Sequence, residues 1–316
     1  MNCVDELIAA CRMAGSDIDL VQGPGGNISI KDGKRMFVKA SGFCLSEVSS
    51  QSGIASFRSS SMAGFFSKIP SARKMHEGKY MEALSRGAIS GKPSMETGFH
   101  SVLGRAVVHT HPVAINSISC AKNGKEIALK AFGPGSFTWI PYFSPGAELA
   151  RAIAMHAKGG NHCFILQNHG LIVASNSMQE ALAATHEKCK TALTFLESEG
   201  VDVQLPSKLE TEKEAQYYDM PALSLLKDRS LLKMPLFPDA AICCRFGRGG
   251  NIRVKGTRLF LSGNAREKEY ANEVFLASFC TLLNSSQLSR PRFLKAAQVK
   301  KLLSMALERE RMEAAR

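Results

Sequence analysis

Apolar positions in residues 3–14 recur at helical spacing. Val4, Leu7, Ile8 and Cys11 share one face, and Gly15 with Asp17 closes the segment. A glycine-rich turn, GPGGN at 23–27, follows. Two short apolar runs, 28–30 and 36–40, flank Lys31-Asp32-Gly33-Lys34, and Asp-Gly between such runs predicts a hairpin. Residues 46–74 are serine-rich without periodicity and predict a surface loop with one strand. Helices are predicted over 75–86 and from Pro93-Ser94 to Leu103, with Ser94 as N-cap.

The stretch RAVVHTHP predicts a short buried strand stopped by Pro112, followed by a helix over 113–121. Another strand ends at Trp139-Ile140-Pro141-Tyr142, and PGAELARAIAMHAK (145–158) predicts a helix with proline near its start. Two apolar runs, CFIL and LIVA, are broken by Gln167-Asn168-His169-Gly170. A long helix is expected over 178–199, and polar residues 200–222 predict a linker. Beyond Leu236 the pattern gives strands near 240–245, 252–254 and 259–262, a helix over 265–283 and a last helix from 296 onward. The expected organisation is a main domain over 1–205 and a smaller α+β extension over 206–316, without internal repeats.

Hydrophobic residues make up 45% of the 316 and charged residues 22%, which excludes a fibrous or wholly disordered chain. No run of 18 apolar residues exists to span a membrane. The opening MNCVDELIAACRM has acids and no basic stretch, so no secretory leader is expected. The net charge of +12 suits anionic small molecules; without a basic stripe interleaved with aromatics, nucleic acid is not an expected partner. Nine scattered cysteines form no CxxC pair, which predicts reduced, mostly buried thiols in a cytoplasmic protein. Cys243 and Cys244, as strand neighbours, would point apart. GRGGNIR at 247–253 lacks the lysine-serine pair of a phosphate loop and reads as a hairpin turn.

The candidate chemistry begins with His109 and His111. Two apart on a strand, they share a face and form either half a metal site or a core histidine beside a surface one. His169 stands at another strand break, where a turn can aim it outward. Glu96 lies just inside a helix start. Three neutral imidazoles would leave open positions on a divalent metal, and a nearby carboxylate that is not a ligand would serve as general acid/base. His100 follows Glu96 by four residues and shares its helix face.

The segments GPGGNISIKDG, FVKASGF, PSMETGFHSVL, AVVHTHP, PYFSPGAELA and LQNHGLIVAS, in this order, resemble the class II aldolase/adducin family over about residues 3–200. The tract VQGPGGN with VKASG and PSMET is most similar to the rhamnulose-phosphate-aldolase-related branch. The resemblance implies a three-layer α/β/α sandwich around a mostly antiparallel sheet. It also implies a symmetric homo-oligomer with active sites at subunit interfaces.

Matched position by position, the resemblance makes His109, His111 and His169 the metal ligands and Glu96 the catalytic glutamate. Asn27 and Ser29 match the loop that holds a substrate phosphate, and Ser41 and Gly42 a second phosphate turn. Ser94 matches the first serine of an S-S-E motif. Met95 stands where that motif has its second serine, which removes one donor. Tyr142 matches a tyrosine acting on the aldehyde side of the bond.

The metal is expected to be zinc, with manganese, cobalt or iron as alternatives, and the substrate a small, anionic sugar phosphate. The set fits an enediolate: a metal absorbs developing charge, a carboxylate moves a proton at carbon, and glycine-rich turns present N–H groups to an anion. Lys39 either adds charge to that pocket or points to solvent. A metal-dependent aldolase is the leading expectation. A decarboxylase, epimerase or dehydratase on the same metal site comes second, and a non-catalytic adducin-like binding protein third.

Overall fold

The computed structural model describes residues 2–67, 75–157, 162–207 and 217–305. Helix α1 (Cys3–Gly15) is capped by Asn2, whose Oδ1 accepts from the Val4 and Asp5 N–H groups at 3.0 Å. The glycine turn then feeds β1 (Asn27–Asp32) and β2 (Arg35–Lys39), the expected hairpin, turned at Gly33 with φ +56°. β3 (Ile54–Arg58), α2 (Ser61–Ser67), α3 (Glu77–Gly87), β4 (Ala88–Ser90) and α4 (Thr97–Val102) follow. Next come β5 (Ala106–Thr110), α5 (Val113–Ser119), α6 (Gly124–Phe132), β6 (Thr138–Ile140) and α7 (Ala147–Ala154). β7 (His162–Leu166), β8 (Gly170–Ser175) and α8 (Met178–Ser198) complete this part.

These strands form one sheet in the order β4-β3-β2-β1-β5-β8-β7-β6, antiparallel throughout except for the β6–β7 pair. Helices cover both faces. Ile28, Ile30, Ala106, Val108, Leu171 and Val173 pack with residues of α1, α5 and α8 on one face. Met36, Phe57, Val107, Phe164 and Ile172 pack with Tyr80, Phe99 and Leu149 on the other. Every residue of β5 is therefore buried, which is why its sequence shows a continuous apolar run rather than alternation. The α/β/α sandwich around a mostly antiparallel sheet is thus the fold.

The later residues build a second core. β9 (Tyr218–Asp219) pairs with the hairpin β10 (Ile252–Lys255) and β11 (Arg258–Leu261). Helix α9 (Pro238–Cys243), the long α10 (Ala265–Leu288) and α11 (Ala296–Ser304) pack around it. Phe237, Val274, Phe275 and Phe279 form its centre, and Cys120 from the first part is buried with them. Asn284 of α10 ties the two parts together, donating to Ser117 Oγ and to Gln204 O at 3.1 and 2.9 Å. Among the described residues no helix is long and apolar enough to cross a membrane.

Several local expectations change. Residues 240–243 of the run 240–245 are helix rather than strand: Pro238 starts a turn of helix that ends at Cys243, and all six of its residues are buried, so apolar content alone did not mark it. Cys243 therefore ends a helix, and GRGGN leads from it into β10 instead of joining two strands of a hairpin. The serine-rich region holds β3 as expected but also α2; its residues 68–74 lie outside the described part. Helix α6 has no counterpart in the sequence reading, although Ile127 and Ala128 face the core. Ser94 does not cap a helix: its Oγ accepts from Glu96 N at 3.2 Å in a turn, and α4 begins three residues later. Residues 306–316 of the expected last helix and 208–216 of the expected linker are outside the described residues. All nine cysteines are free thiols, and burial pushes those at Cys11 and Cys120 up to about 12.

Candidate metal centre and anion cleft

The site forms where β1 begins, β5 ends and β8 begins. His109 shares the β5 face with Val107 and lies opposite Asn27 across the β1–β5 pair. His111 follows the strand end, its N–H held by Leu20 O at 2.8 Å. His169 comes from the β7–β8 turn. There Asn168 adopts φ +55°, a left-handed conformation asparagine tolerates, and its Nδ2 donates to Leu236 O and Arg292 O at 2.7 and 2.6 Å. Gly170 lets β8 close under His111, since a Cβ there would lie 2.3 Å from Thr110 O. Gly170→Ala should therefore destabilise by about 1–3 kcal/mol, read as a lower urea midpoint at unchanged slope; an unchanged midpoint would refute this packing.

The three imidazoles are buried, and one nitrogen of each lies within 4.8 Å of the others. His109 Nδ1 donates to Leu171 O at 2.9 Å, and His111 Nδ1 donates to Asp239 Oδ2 at 2.6 Å. These partners turn both Nε2 lone pairs inward, 3.2 Å apart. Two lone pairs at that distance need positive charge between them, so the donor set fits a cation bound by imidazole nitrogens.

Glu96 stands at the open side of this triangle. Its Oε1 is 3.4 Å from His169 Nε2 and 3.6 Å from His109 Nε2. The turn that carries it is fixed by buried Tyr80, whose hydroxyl donates to Met95 O at 2.6 Å; Gly98 has no room for a Cβ against that hydroxyl. Burial opposes the charge on Glu96, but His109 and His169 outweigh it and hold the carboxyl well below the usual range. Burial also disfavours charge on His109, yet Glu96 beside it raises its pKa, whereas burial pushes His169 down to about 4.

The cleft next to these groups is lined by Pro24, Gly25, Gly26, Asn27, Lys39, Ser41, Gly42, Ser94, Met95, Glu96, His111, Pro145, His169, Pro238 and Asp239. The structure thus brings Asn27, Ser41, Gly42, Ser94 and Glu96 together with two of the histidines, while His109 lies behind them. Asn27 is 2% exposed, and its Oδ1 has no hydrogen-bond partner among the described residues, leaving the carboxamide available to a ligand. Lys39 is buried, not solvent-facing. Its ammonium donates at 2.8 Å to both Pro24 O and Phe43 O, joining the two turns beside the cleft.

Two expected residues are elsewhere. Ser29 lies one strand residue pair deeper than Asn27, and its hydroxyl is engaged at 2.8 Å by His100 Nδ1 instead of lining the cleft. His100 thus serves Ser29, and burial pushes its pKa down to about 3, keeping it neutral. Tyr142 is not among the cleft residues; it packs half-buried against the cluster of Met95, Ala241, Leu294, Leu302 and Met305. The same cluster explains Met95: where a serine would offer a donor, a thioether docks helices α9 and α11. Asp239 carries no signal in the sequence, since it lies 128 residues from His111 inside an apolar run.

Residues 5–195 match the family described as the class II aldolase and adducin N-terminal domain. The chain belongs to this family. It is 33% identical over 190 residues to an uncharacterized oxidoreductase of Bacillus subtilis, covering 54% of this chain and 26% of that protein. It is 30% identical over 127 residues to a 3-oxo-tetronate 4-phosphate decarboxylase of Haemophilus influenzae, covering 36% and 60%. Thus the chain spans between a quarter and three fifths of the length of these relatives. The solved N-terminal class II aldolase domain of a conserved Thermoplasma acidophilum protein superposes with a TM-score of 0.54 at 28% identity. That match covers 62% of this chain and 94% of the other.

Proposed function

We propose that this chain is a metal-dependent lyase that makes or breaks a carbon–carbon bond beside a carbonyl in a small phosphorylated hydroxy-carbonyl compound. The observation that carries the proposal is the convergence of three imidazole nitrogens and Glu96 on a cleft lined by two glycine turns and Lys39. His109, His111 and His169 would hold the cation, zinc first by its donor preference, with manganese, cobalt or iron as alternatives. A bound divalent cation supplies Lewis acidity to substrate oxygens as negative charge develops on them. Glu96, ionised and beside the histidines, takes and returns the proton at the substrate carbon. Asn27, Ser41, Gly42 and Ser94, with the Lys39 charge nearby, hold the substrate's remote anion.

Aldol cleavage through an enediolate is the first reading. Decarboxylation of an oxo-acid phosphate is the second, favoured by Tyr142: aldol cleavage wants an acid at the aldehyde oxygen, and this tyrosine packs outside the cleft. Loss of CO₂ needs no such group, and a similar protein bears a decarboxylase name. A binding role would not require buried, convergent ligands. We further propose that residues 1–205 form the catalytic domain and 206–316 an extension, that the protein assembles as a homo-oligomer, and that it works in a reducing cytoplasm where its nine thiols stay free.

A panel of sugar phosphates and oxo-acid phosphates, assayed for aldehyde and CO₂ release with and without a chelator, tests the function. No metal-dependent turnover of any member would reject it. Asn27→Ala should mainly raise KM for a phosphorylated substrate, by about 10-fold, and leave a neutral analogue little changed. Equal losses on both would place Asn27 outside the anion pocket.

A further inference from the structure

The His111–Asp239 contact joins the two parts of the molecule at a buried point of the site. Asp239 is 2% exposed and His111 5%. Their bond is 2.6 Å long. The surroundings leave no slack around it. A Cβ on Gly25 would lie 2.7 Å from Asp239 Oδ2 and 2.9 Å from His111 Nδ1, so the first glycine turn is shaped to the pair. Asp239 is also held from behind, because α9 packs within the core formed with α10.

The same later part grips the anion turns. Glu273 Oε2 accepts from Gly23 N at 2.7 Å, and Arg266 donates to Gly42 O at 3.2 Å while pairing with Glu47. The matched family segment stops at residue 195, so all of these contacts come from outside it.

We propose that Asp239 is the positioning residue of the histidine centre: its carboxylate fixes the orientation and tautomer of His111, so that the C-terminal part completes the metal site in cis. The inference rests on the metal site proposed above and adds to it a residue supplied from beyond the family segment. The physical reason is general. A ligating imidazole is one of several rotamers and two tautomers until its other nitrogen is engaged. A carboxylate partner selects one form and raises the basicity of the inward nitrogen. A carbonyl does this for His109; among the described residues Asp239 does it for His111.

The test measures zinc affinity of the metal-free full-length protein by competition with a chromophoric chelator, beside a melting curve of the metal-free protein. Asp239→Asn keeps the shape and should weaken zinc about 10-fold, and Asp239→Ala about 10–100-fold. The metal-free melting temperature of Asp239→Asn should stay within a few degrees of wild type. Gly25→Ala, which crowds the pair with Asp239 intact, should also weaken zinc. If Asp239→Ala does not fold, Asp239→Asn decides. Affinity equal to wild type in Asp239→Asn overturns the proposal. So does a loss of affinity accompanied by collapse of the metal-free fold, which would make Asp239 merely structural. If the wild-type protein itself binds no zinc, the metal site proposed above fails first, a result distinct from a wild type that binds and a variant that binds equally well.

Discussion

Glu96→Gln is expected to keep full metal content, keep its fold, and lose about 10²–10⁴-fold in kcat on the true substrate, the range general acid/base groups supply. The structure gives the reason for each part. Glu96 lies 3.4 Å from His169 Nε2 and 3.6 Å from His109 Nε2, at the open side of the three imidazoles. His109 and His111 have their own partners, a carbonyl and a carboxylate, so their nitrogens stay aimed without the Glu96 charge, and a glutamine of the same length still stands beside His169. The turn under it is fixed by Tyr80 on a backbone carbonyl, which a glutamine leaves intact. What the glutamine removes is the titrating group, ionised here because His109 and His169 outweigh the cost of burial. The loss should fall on kcat with KM little changed, because the proton transfer is felt only in the transition state. Hydrogen–deuterium exchange into the substrate fragment should slow in parallel. Wild-type turnover by this variant would remove Glu96 from the mechanism, whatever the reaction.

The sheet and the grouping of the histidines were legible in the sequence, for identifiable reasons. The β1–β2 hairpin was legible because Asp32-Gly33 is a turn signal between short apolar runs, and β5 because a buried run ends in proline. His109 and His111 were legible as a pair because strand alternation places residues two apart on one face. Helix α9 was not, because a six-residue apolar run buried all round has no periodicity to separate helix from strand. Asp239 sits in that helix, so the same lack of periodicity hides both the element and the residue. Ser29 was misplaced for a related reason. Alternation puts it on the same face as Asn27, but the face changes neighbours within two residues, from the cleft to His100 of α4. Lys39 could not be resolved from the strand pattern, because what buries it is a pair of backbone carbonyls from two separate turns.

Removing His109 should have the largest effect of all. His109 is fully buried, engaged by Leu171 O at one nitrogen, edge-on to Phe99 with ring centroids 5.6 Å apart, and centroids 4.9 and 5.1 Å from His111 and His169. Like His169, it neighbours the other two rings and Glu96. Substitutions of groups that only orient a ligand cost about 10–100-fold in metal affinity or activity, so loss of a ligand itself should exceed about 100-fold. Elemental analysis of His109→Ala should show metal falling from near one per chain to near zero. The core cavity left by the ring complicates that reading, so His109→Gln, which retains most of the volume, should be measured alongside. Melting curves separate the two effects. Metal at 100 times its Kd stabilises the folded state by about 2.7 kcal/mol, so added zinc should raise the wild-type melting temperature and leave both variants unmoved. A His109→Gln protein that still bound one metal per chain, and still melted higher when zinc was added, would show that the cation is held without this imidazole.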